Sequence, residues 1–242
     1  MAHPAHRHIA PARLPKQDGR LNVIIPAAGI GKRMKSKGPK GLLPIHHGMS
    51  ILEVQVRTIL KVYPNADIII VGGFECDKIR DTLWGHFPVR VVYNPNYETT
   101  NVTHSVSIGL SAMLPGPLLI LHGDLVFNEQ TIQGLAGKHS SLLVAGNQLE
   151  STEVGIGQQD DIVTTLSYAL SSKWGQMAYL QDKELDLFLK VAWNYRISSQ
   201  WFLYEALNHV IDKGGRFLAH QPANAKLVEI DRYSDLMKAK LI

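Results

Sequence analysis

One segment decides the fold of this chain: Val23-Ile24-Ile25-Pro26-Ala27-Ala28-Gly29-Ile30-Gly31-Lys32-Arg33-Met34. Its apolar first half predicts a buried β-strand, and its second half predicts a loop with two glycines. Glycine lets backbone N–H groups approach an anion closely because it has no Cβ. Arg33, and Lys40 seven residues later, supply positive charge that neutralises phosphate. The segment therefore predicts a loop that binds the phosphates of a nucleoside triphosphate.

The spacing within this loop excludes two common phosphate-binding motifs. No Gly-Lys-Ser/Thr follows the glycines, so the loop is not a Walker A motif. Met34 stands where a dinucleotide-binding fingerprint has its third glycine, and Gly29-x-Gly31 alone is a weak signal. An ordinary strand-to-helix turn with incidental basic residues is the alternative interpretation.

Composition favours a globular protein that binds a small anionic ligand. Of 242 residues, 45% are hydrophobic and 19% are charged, and 25 basic against 21 acidic side chains leave a net charge of +4. The basic residues between positions 32 and 40 suit a polyphosphate but are too local for a nucleic-acid interface, so we expect no nucleic-acid partner. The single cysteine, Cys76, excludes an intramolecular disulfide and a Cys-based zinc site.

Targeting signals are not evident in the sequence. Nothing resembles a secretory signal, and no apolar run approaches the roughly 20 residues of a membrane span, so we expect a cytoplasmic protein without a membrane partner. Residues 1–20, rich in Ala, Pro, His and Arg, predict an N-terminal arm outside the core, and residues 21–242 a single domain. The oligomeric state stays open, a homo-oligomer included.

Apolar runs alternate with helical segments along the chain. Strands are predicted at residues 21–26, 67–72, 88–93, 117–121, 141–146, 162–166 and 227–230. Helices are predicted at residues 50–63, 76–83, 103–113, 186–192, 199–213 and 233–241. This alternation predicts an α/β three-layer sandwich with a mostly parallel mixed sheet. Ligands bind such sheets beyond the carboxyl ends of strands, where residues 27–40 and His122-Gly123-Asp124 both lie.

Two aspartates follow predicted strands directly. Asp124 comes after the apolar run at 118–121, and Asp231 after the run at 227–230. Mg²⁺ reaches proteins through one or two carboxylates, so both are candidate metal ligands. A helix N-cap or a turn residue is the alternative interpretation of each.

The combined spacing of Pro26-Ala27-Ala28-Gly29-x-Gly31-x-Arg33-Met34 and Pro39-Lys40 resembles a family signature. The family is the nucleotidyltransferases that join a nucleoside monophosphate to a sugar phosphate or phospho-alcohol. Leu121-His122-Gly123-Asp124 and the segment from Glu229 to Leu236 are similar to two further elements of these enzymes, so the resemblance covers residues 21–236. It implies the Rossmann-like nucleotide-diphospho-sugar transferase fold and one Mg²⁺ held by Asp124 and Asp231.

The resemblance also implies roles for individual residues. Arg33 and Lys40 would hold phosphates, and Lys173 would lie near the acceptor phosphate unless it is a solvated loop lysine. The residues expected to contact the nucleotide are Ala27, Ala28, Gly29, Gly31, Arg33, Ser105 and Gly123, with Asn101 a weaker candidate. The substrates would be an NTP, with CTP or UTP/dTTP favoured, and a phosphorylated acceptor such as a sugar phosphate or phosphocholine; pyrophosphate would be released.

Aromatic residues of the second half are candidates for contact with the acceptor. Trp174, Tyr179, Trp193 and Tyr195 could cage a quaternary ammonium or stack on a sugar, or could simply be core residues.

Two other functions stay open. A glycosyltransferase of related fold would usually carry Asp-x-Asp after the central strand, but the sequence here is Asp124-Leu125-Val126. A non-catalytic nucleotide sensor is the second alternative, against which the retention of Arg33, Lys40, Asp124 and Asp231 together argues.

Overall fold

The computed structural model describes residues 20–29, 38–46, 48–147 and 149–242, which form a β-sheet flanked by helices. The strands are β1 (Asn22–Ala27), β2 (Pro44–His46), β3 (Met49–Ser50), β4 (Asp67–Gly72), β5 (Val89–Tyr93), β6 (Leu118–Leu121), β7 (Leu125–Phe127), β8 (Ser141–Val144), β9 (Gly155–Gln159), β10 (Ile162–Ser167), β11 (Ser172–Leu180), β12 (Leu218–His220) and β13 (Leu227–Glu229). The helices are α1 (Ile51–Val62), α2 (Cys76–Leu83), α3 (Val102–Ala112), α4 (Glu129–Ile132), α5 (Asp182–Ala192), α6 (Tyr195–Ser198), α7 (Leu203–Asp212) and α8 (Tyr233–Ala239).

The main sheet has the strand order β5-β4-β1-β6-β11-β8-β12-β10-β9. Its first four strands are parallel, with β1 between β4 and β6. The strand β11 then runs antiparallel to both β6 and β8. The carboxyl ends of β1 and β6 therefore lie side by side, and the expected α/β class with a mixed sheet is confirmed.

Both faces of the sheet are buried, which makes the architecture three-layered. In β1, Ile24 packs with α3, α5 and α7 on one face, whereas Val23 and Ile25 pack with α1, α2 and α4 on the other. Successive side chains of a strand point to opposite faces, so a strand covered on both sides must be apolar at every position. All three residues are fully buried, in agreement with this rule.

The structure corrects the sequence prediction in the second half. Strand β11, which crosses the middle of the sheet, was not predicted, and neither were β9 and β12. The register of β11 against β8 shifts between Trp174 and Ala178, and Gln176 within that bulge has φ of +54°. A bulge breaks the two-residue period on which strand prediction depends. Helix α7 begins at Leu203 because the Phe202 backbone N–H donates to the Glu205 carboxylate (2.7 Å), which closes the helix start there.

Several sequence predictions lie outside the described residues. They include most of the proposed arm at 1–20, together with Gly31 and Arg33. The assignment of residues 21–242 to a single domain stays a prediction. Among the described residues, no helix combines the length and apolar character needed to cross a membrane.

Candidate active site

Three residues that are far apart in the sequence meet at one point. The Lys40 ammonium donates to Asp124 Oδ2 and to Asp231 Oδ1, both at 2.9 Å. These pairs span 84 and 191 residues of sequence. The Lys40 side chain is 15% exposed and the two carboxylates are 26% and 36% exposed, so the group lies at the floor of an opening.

Backbone pairing places the two aspartates next to each other. Asp124 follows β6, and the chain continues at once into β7, which pairs antiparallel with β13. One step beyond that ladder, the Ile230 N–H donates to the Asp124 carbonyl (2.9 Å). Asp231, just after the end of β13, therefore lies beside Asp124, just before the start of β7.

Lys40 reaches the aspartates from a short 3₁₀ turn, Lys40–Leu42, that packs against α1. A Cβ on Gly41 would lie 2.8 Å from two carbons of Leu52, so a larger residue would push the turn away from the helix. Gly41 thus allows the close approach that brings the Lys40 ammonium over the carboxylates.

Glu229 joins the two aspartates as a third acid. One carboxylate oxygen each of Asp124, Glu229 and Asp231, here termed the acidic cluster, lie within 4.8 Å of one another. Glu229 was not predicted as a candidate ligand, although the sequence carries a signal for it. Residues i and i+2 of an extended chain share a face, so Glu229 should accompany Asp231.

The electrostatics of the cluster are those of a crowded anionic site. Burial, together with the charges of Asp124 and Asp231, raises the pKa of Glu229 to about 7 against the opposing effect of Lys173 and Lys40. Burial pulls the pKa of Lys40 down, but the two aspartates outweigh burial, so the net shift is upward. Lys40 is therefore a permanent cation among acids that repel one another.

The acidic cluster fits a divalent cation. Carboxylate oxygens are the ligands that Mg²⁺ prefers in proteins. Within the described residues, Asp124 Oδ1 is buried and has no hydrogen-bond partner. A buried carboxylate oxygen without a donor is costly, and a bound cation would satisfy it.

Gly123 has a packing explanation of its own. Its N–H donates to the Pro26 carbonyl at 3.1 Å, which ties the end of β6 to the end of β1. A Cβ at this position would lie 2.8 Å from the Ala27 Cβ and 2.9 Å from that same carbonyl oxygen. Only glycine lets the two strand ends come this close, so its predicted contact with the nucleotide stays a prediction.

The backbone of the loop after β1 also lies close to residues 73–74, which follow β4. The Phe74 N–H donates to the Ala28 carbonyl at 3.3 Å. A Cβ on Gly73 would lie 2.6 Å from the Ala28 carbonyl oxygen. Ala28 is buried, whereas Gly29 is exposed with open space around its Cα. The backbone of this loop is thus fixed at Ala28 and accessible at Gly29.

Ser105 and Asn101, both predicted nucleotide contacts, differ in their surroundings. Ser105 is buried in the first turns of α3, and its hydroxyl accepts from the Asn94 side-chain amide at 3.1 Å. Asn94 is a fully buried polar residue that our sequence analysis missed, although it directly follows β5. The Asn101 amide instead donates to the Gln200 carbonyl, which ties the start of α3 to the segment before α7.

Lys173 lies on β11, so the solvated-loop interpretation was wrong. Its side chain is 20% exposed and forms an ion pair with Glu153. Gln176, three residues along the same strand, donates from its side-chain amide to Glu229 Oε2 at 2.5 Å. Strand β11 therefore reaches the acidic cluster through Gln176 and lines the adjoining space with Lys173.

The predicted aromatic group does not assemble as one site. Tyr179 is 4% exposed and belongs to the core on the α1 face of the sheet. Trp193 and Tyr195 are 43% and 56% exposed, and neither lines a cavity described for this chain. Trp174, which lies on β11, lines a cavity near the acidic cluster.

Two connected spaces adjoin the acidic cluster. A groove of about 890 Å³ is lined by Asp231, Glu229 and Lys173. A smaller cavity of about 220 Å³ shares Glu229 and Lys173 with that groove and extends toward α7. Four aromatic residues line this smaller space, here termed the aromatic cavity: Tyr168, Trp174, Phe202 and Tyr204.

Comparison with known proteins agrees with this arrangement. Residues 23–181 match the MobA-like NTP transferase domain. The chain belongs to this family. Its nucleotidyltransferase fold is the one that the resemblance of residues 23–40 implied, and that expectation is confirmed.

Curated relatives of this NTP transferase are longer proteins. The bifunctional protein GlmU of Synechococcus sp. is 31% identical over 120 residues, which is 49% of this chain and 18% of the relative. GlmU of Thermotoga petrophila is 33% identical over 121 residues, covering 49% of this chain and 26% of the relative. The chain thus matches about a fifth to a quarter of the length of these relatives.

Solved structures match over nearly the whole chain. The CTP:phosphocholine cytidylyltransferase of Streptococcus pneumoniae has a TM-score of 0.75 at 18% identity and covers 92% of this chain and 98% of its own. The inositol-1-phosphate CTP transferase of T. maritima has a TM-score of 0.72 at 17% identity and covers 93% and 98%. At these identities the likeness shows a shared fold.

Proposed function

We propose that this NTP transferase moves a nucleoside monophosphate from an NTP, with CTP or UTP/dTTP favoured, to a phosphorylated small-molecule acceptor. One observation carries the proposal: the Lys40 ammonium lies 2.9 Å from a carboxylate oxygen of Asp124 and of Asp231, although these residues are 84 and 191 positions away in the sequence. A lysine between two carboxylates, one of which, Asp231, lines an open groove, is suited to a triphosphate and a divalent cation.

The reaction is a displacement at the α-phosphorus of the NTP. A phosphate oxygen of the acceptor attacks the α-phosphorus of the NTP, the bond between the α-phosphorus and the bridging oxygen breaks, and pyrophosphate leaves with that electron pair. An acceptor phosphate is ionised at neutral pH, so no general base is required. Positioning and charge neutralisation supply the rate in such reactions.

Metal binding is assigned to Asp124 and Asp231, with Glu229 as a further ligand. Mg²⁺, when bound, neutralises negative charge on the triphosphate. The orphaned Asp124 Oδ1 and the spacing of the acidic cluster support this assignment. Gln176 holds Glu229 in place through its 2.5 Å hydrogen bond.

Cationic and backbone groups hold the substrates. Lys40 would donate to phosphate oxygens, and Arg33 would contribute a second cation from the loop. Lys173, which lines both the groove and the aromatic cavity, orients the acceptor phosphate. The predicted nucleotide contacts follow in the same proposal: the backbone of Ala27, Ala28, Gly29, Gly31 and Gly123, and the side chain of Ser105 supported by Asn94. Asn101 contributes by fixing the start of α3.

The test is a pyrophosphate-release assay with each NTP against a panel of sugar 1-phosphates, phosphocholine and polyol phosphates. We expect release with at least one pair, dependent on Mg²⁺ and lost in Asp124→Asn. Glu129→Gln, which alters an exposed carboxylate paired with Lys61, serves as the matched control and should keep full turnover. Absence of release with every pair would contradict the proposed reaction.

A further inference from the structure

On the basis of the function proposed above, the aromatic cavity indicates which kind of acceptor this enzyme uses. The cavity meets the groove at Glu153, Lys173 and Glu229, the three residues that line both spaces. If the phosphate of an acceptor lies at Lys173, the rest of the acceptor can therefore enter the aromatic cavity. Pockets for drug-sized ligands measure roughly 300–1,000 Å³, so a cavity of about 220 Å³ suits a small head group.

Two of the aromatic rings around the cavity are too exposed to serve mainly as part of the hydrophobic core. Tyr168 and Phe202 are 46% and 51% exposed, which is unusual for large apolar side chains grouped together. Tyr204 packs against both: its ring centroid lies 5.8 Å from that of Tyr168 at a steep angle and 6.1 Å from that of Phe202 in a parallel arrangement. With Trp174 they come from three segments, namely the turn after β10, strand β11 and the start of α7, yet they border one space.

The charges around the cavity favour a cation. Glu153 and Glu229 both line it, and the one lysine among its lining residues, Lys173, is already paired with Glu153. Aromatic faces attract cations through the negative charge of the π system. Carboxylates beside aromatic rings strengthen that attraction, and Val102, Val154 and Leu203 add apolar contacts to the wall of the cavity.

We propose that the acceptor is a phospho-alcohol with a quaternary ammonium group, of the phosphocholine type, and that this group occupies the aromatic cavity. The acceptor is then recognised by both of its charges, the negative phosphate and the positive ammonium. Lys173 contacts its phosphate, and the rings of Tyr168, Trp174, Phe202 and Tyr204 surround its ammonium.

A charge-deleted substrate tests this directly. In 3,3-dimethylbutyl phosphate a carbon replaces the ammonium nitrogen of phosphocholine, so the shape is kept and the charge is lost. With the productive NTP and Mg²⁺, we expect kcat/KM for phosphocholine to exceed that for the neutral analogue by about tenfold or more. Calorimetric titration of the full chain with each compound should give the same ranking of affinity.

Variants of the cavity locate the effect. Phe202→Leu and Tyr204→Leu should raise the KM for phosphocholine by about 3- to 30-fold and leave the neutral analogue nearly unaffected. Trp193→Leu is the matched control, since Trp193 is an exposed aromatic residue outside the cavity. Tyr204→Phe, which keeps a ring, should restore the preference for phosphocholine if the leucine variant loses it.

The possible results separate this inference from the proposed reaction. Turnover of a sugar 1-phosphate without turnover of phosphocholine would overturn the ammonium assignment and leave the reaction standing. Equal use, or equal binding, of phosphocholine and its neutral analogue would also overturn it. If no acceptor is turned over, the reaction fails, and tighter calorimetric binding of phosphocholine than of the analogue would still support the cavity assignment.

Discussion

Replacing Lys40 by methionine should separate the stability of the site from its activity. Methionine keeps much of the length of lysine but removes the ammonium that lies 2.9 Å from Asp124 and from Asp231. Without the ammonium, the charges of the acidic cluster are no longer neutralised by this lysine. The carboxylate oxygens of the cluster lie within 4.8 Å of one another and repel each other. The variant should therefore be less stable without metal and should recover when Mg²⁺ is added.

The size of the loss follows from the exposure of the three side chains. Removing one partner of a fully buried ion pair costs about 3–5 kcal/mol, whereas exposed pairs contribute about 0–1 kcal/mol. Lys40 is 15% exposed and its partners 26% and 36%, which places this site between those limits. We expect a decrease of about 2 kcal/mol in the free energy of unfolding in EDTA, and a melting temperature lower by about 4–8 °C.

Differential scanning fluorimetry with EDTA and with Mg²⁺, together with pyrophosphate release, is the assay. Lys40→Met should gain more melting temperature from Mg²⁺ than the wild type does, yet its kcat should fall by about 10²-fold or more. Lys61→Met is the matched control, because Lys61 forms an exposed ion pair with Glu129, and its melt should stay near that of the wild type. A Lys40→Met protein with wild-type turnover, or with an unchanged melt in EDTA, would refute this reasoning.

Three further predictions concern other parts of the chain. Asp124→Asn should abolish Mg²⁺-dependent turnover while its melt stays near that of the wild type; a lowered melt with intact activity would instead make Asp124 a capping residue. Ser50→Ala removes the capping box of α1 and should cost about 1 kcal/mol in urea unfolding, with pyrophosphate release unchanged; an unaltered midpoint would show that the cap contributes nothing. Burial lowers the pKa values of His122 and His220, so below the ordinary value of 6.5 the unfolded chain binds protons that the folded chain does not. Each of these histidines therefore contributes stability that is lost as the pH drops from 7 toward 5, by up to about 1.4 kcal/mol per pH unit, whereas Glu229, whose pKa is raised, contributes in the opposite direction. Relative to the wild type, His220→Gln should lose less stability over that range; identical dependence of the two melting temperatures on pH would contradict this.

Strands β1, β4 and β6 were predictable from sequence because their residues are almost all buried, which gives continuous apolar runs. Strand β4 and helix α2 have the predicted bounds, residues 67–72 and 76–83. Each is a short pattern bounded by turn residues, so local rules suffice. Strand β11 escaped prediction because its bulge at Gln176 interrupts the alternation, and its partners β6 and β8 are distant in sequence.

The candidate site was only partly accessible to the same reasoning. Strand ends indicated Asp124 and Asp231, but only the family resemblance linked them, since periodicity says nothing about residues so far apart. Glu229 was detectable from its position two residues before Asp231. The aromatic cavity was not, because Tyr168 lies beyond β10 and Phe202 before α7, and β11, the strand that carries Trp174 beside them, had not been predicted.

The central claim is that Lys40, Asp124 and Asp231 enclose one metal–nucleotide complex. A crystal of the full chain grown with CTP and Mn²⁺, with diffraction recorded at the manganese edge, tests it most directly. The account predicts an anomalous peak bound by carboxylate oxygens of Asp124 and Asp231, with the triphosphate beside the Lys40 ammonium. A manganese peak elsewhere, or a bound triphosphate remote from Lys40, would contradict it.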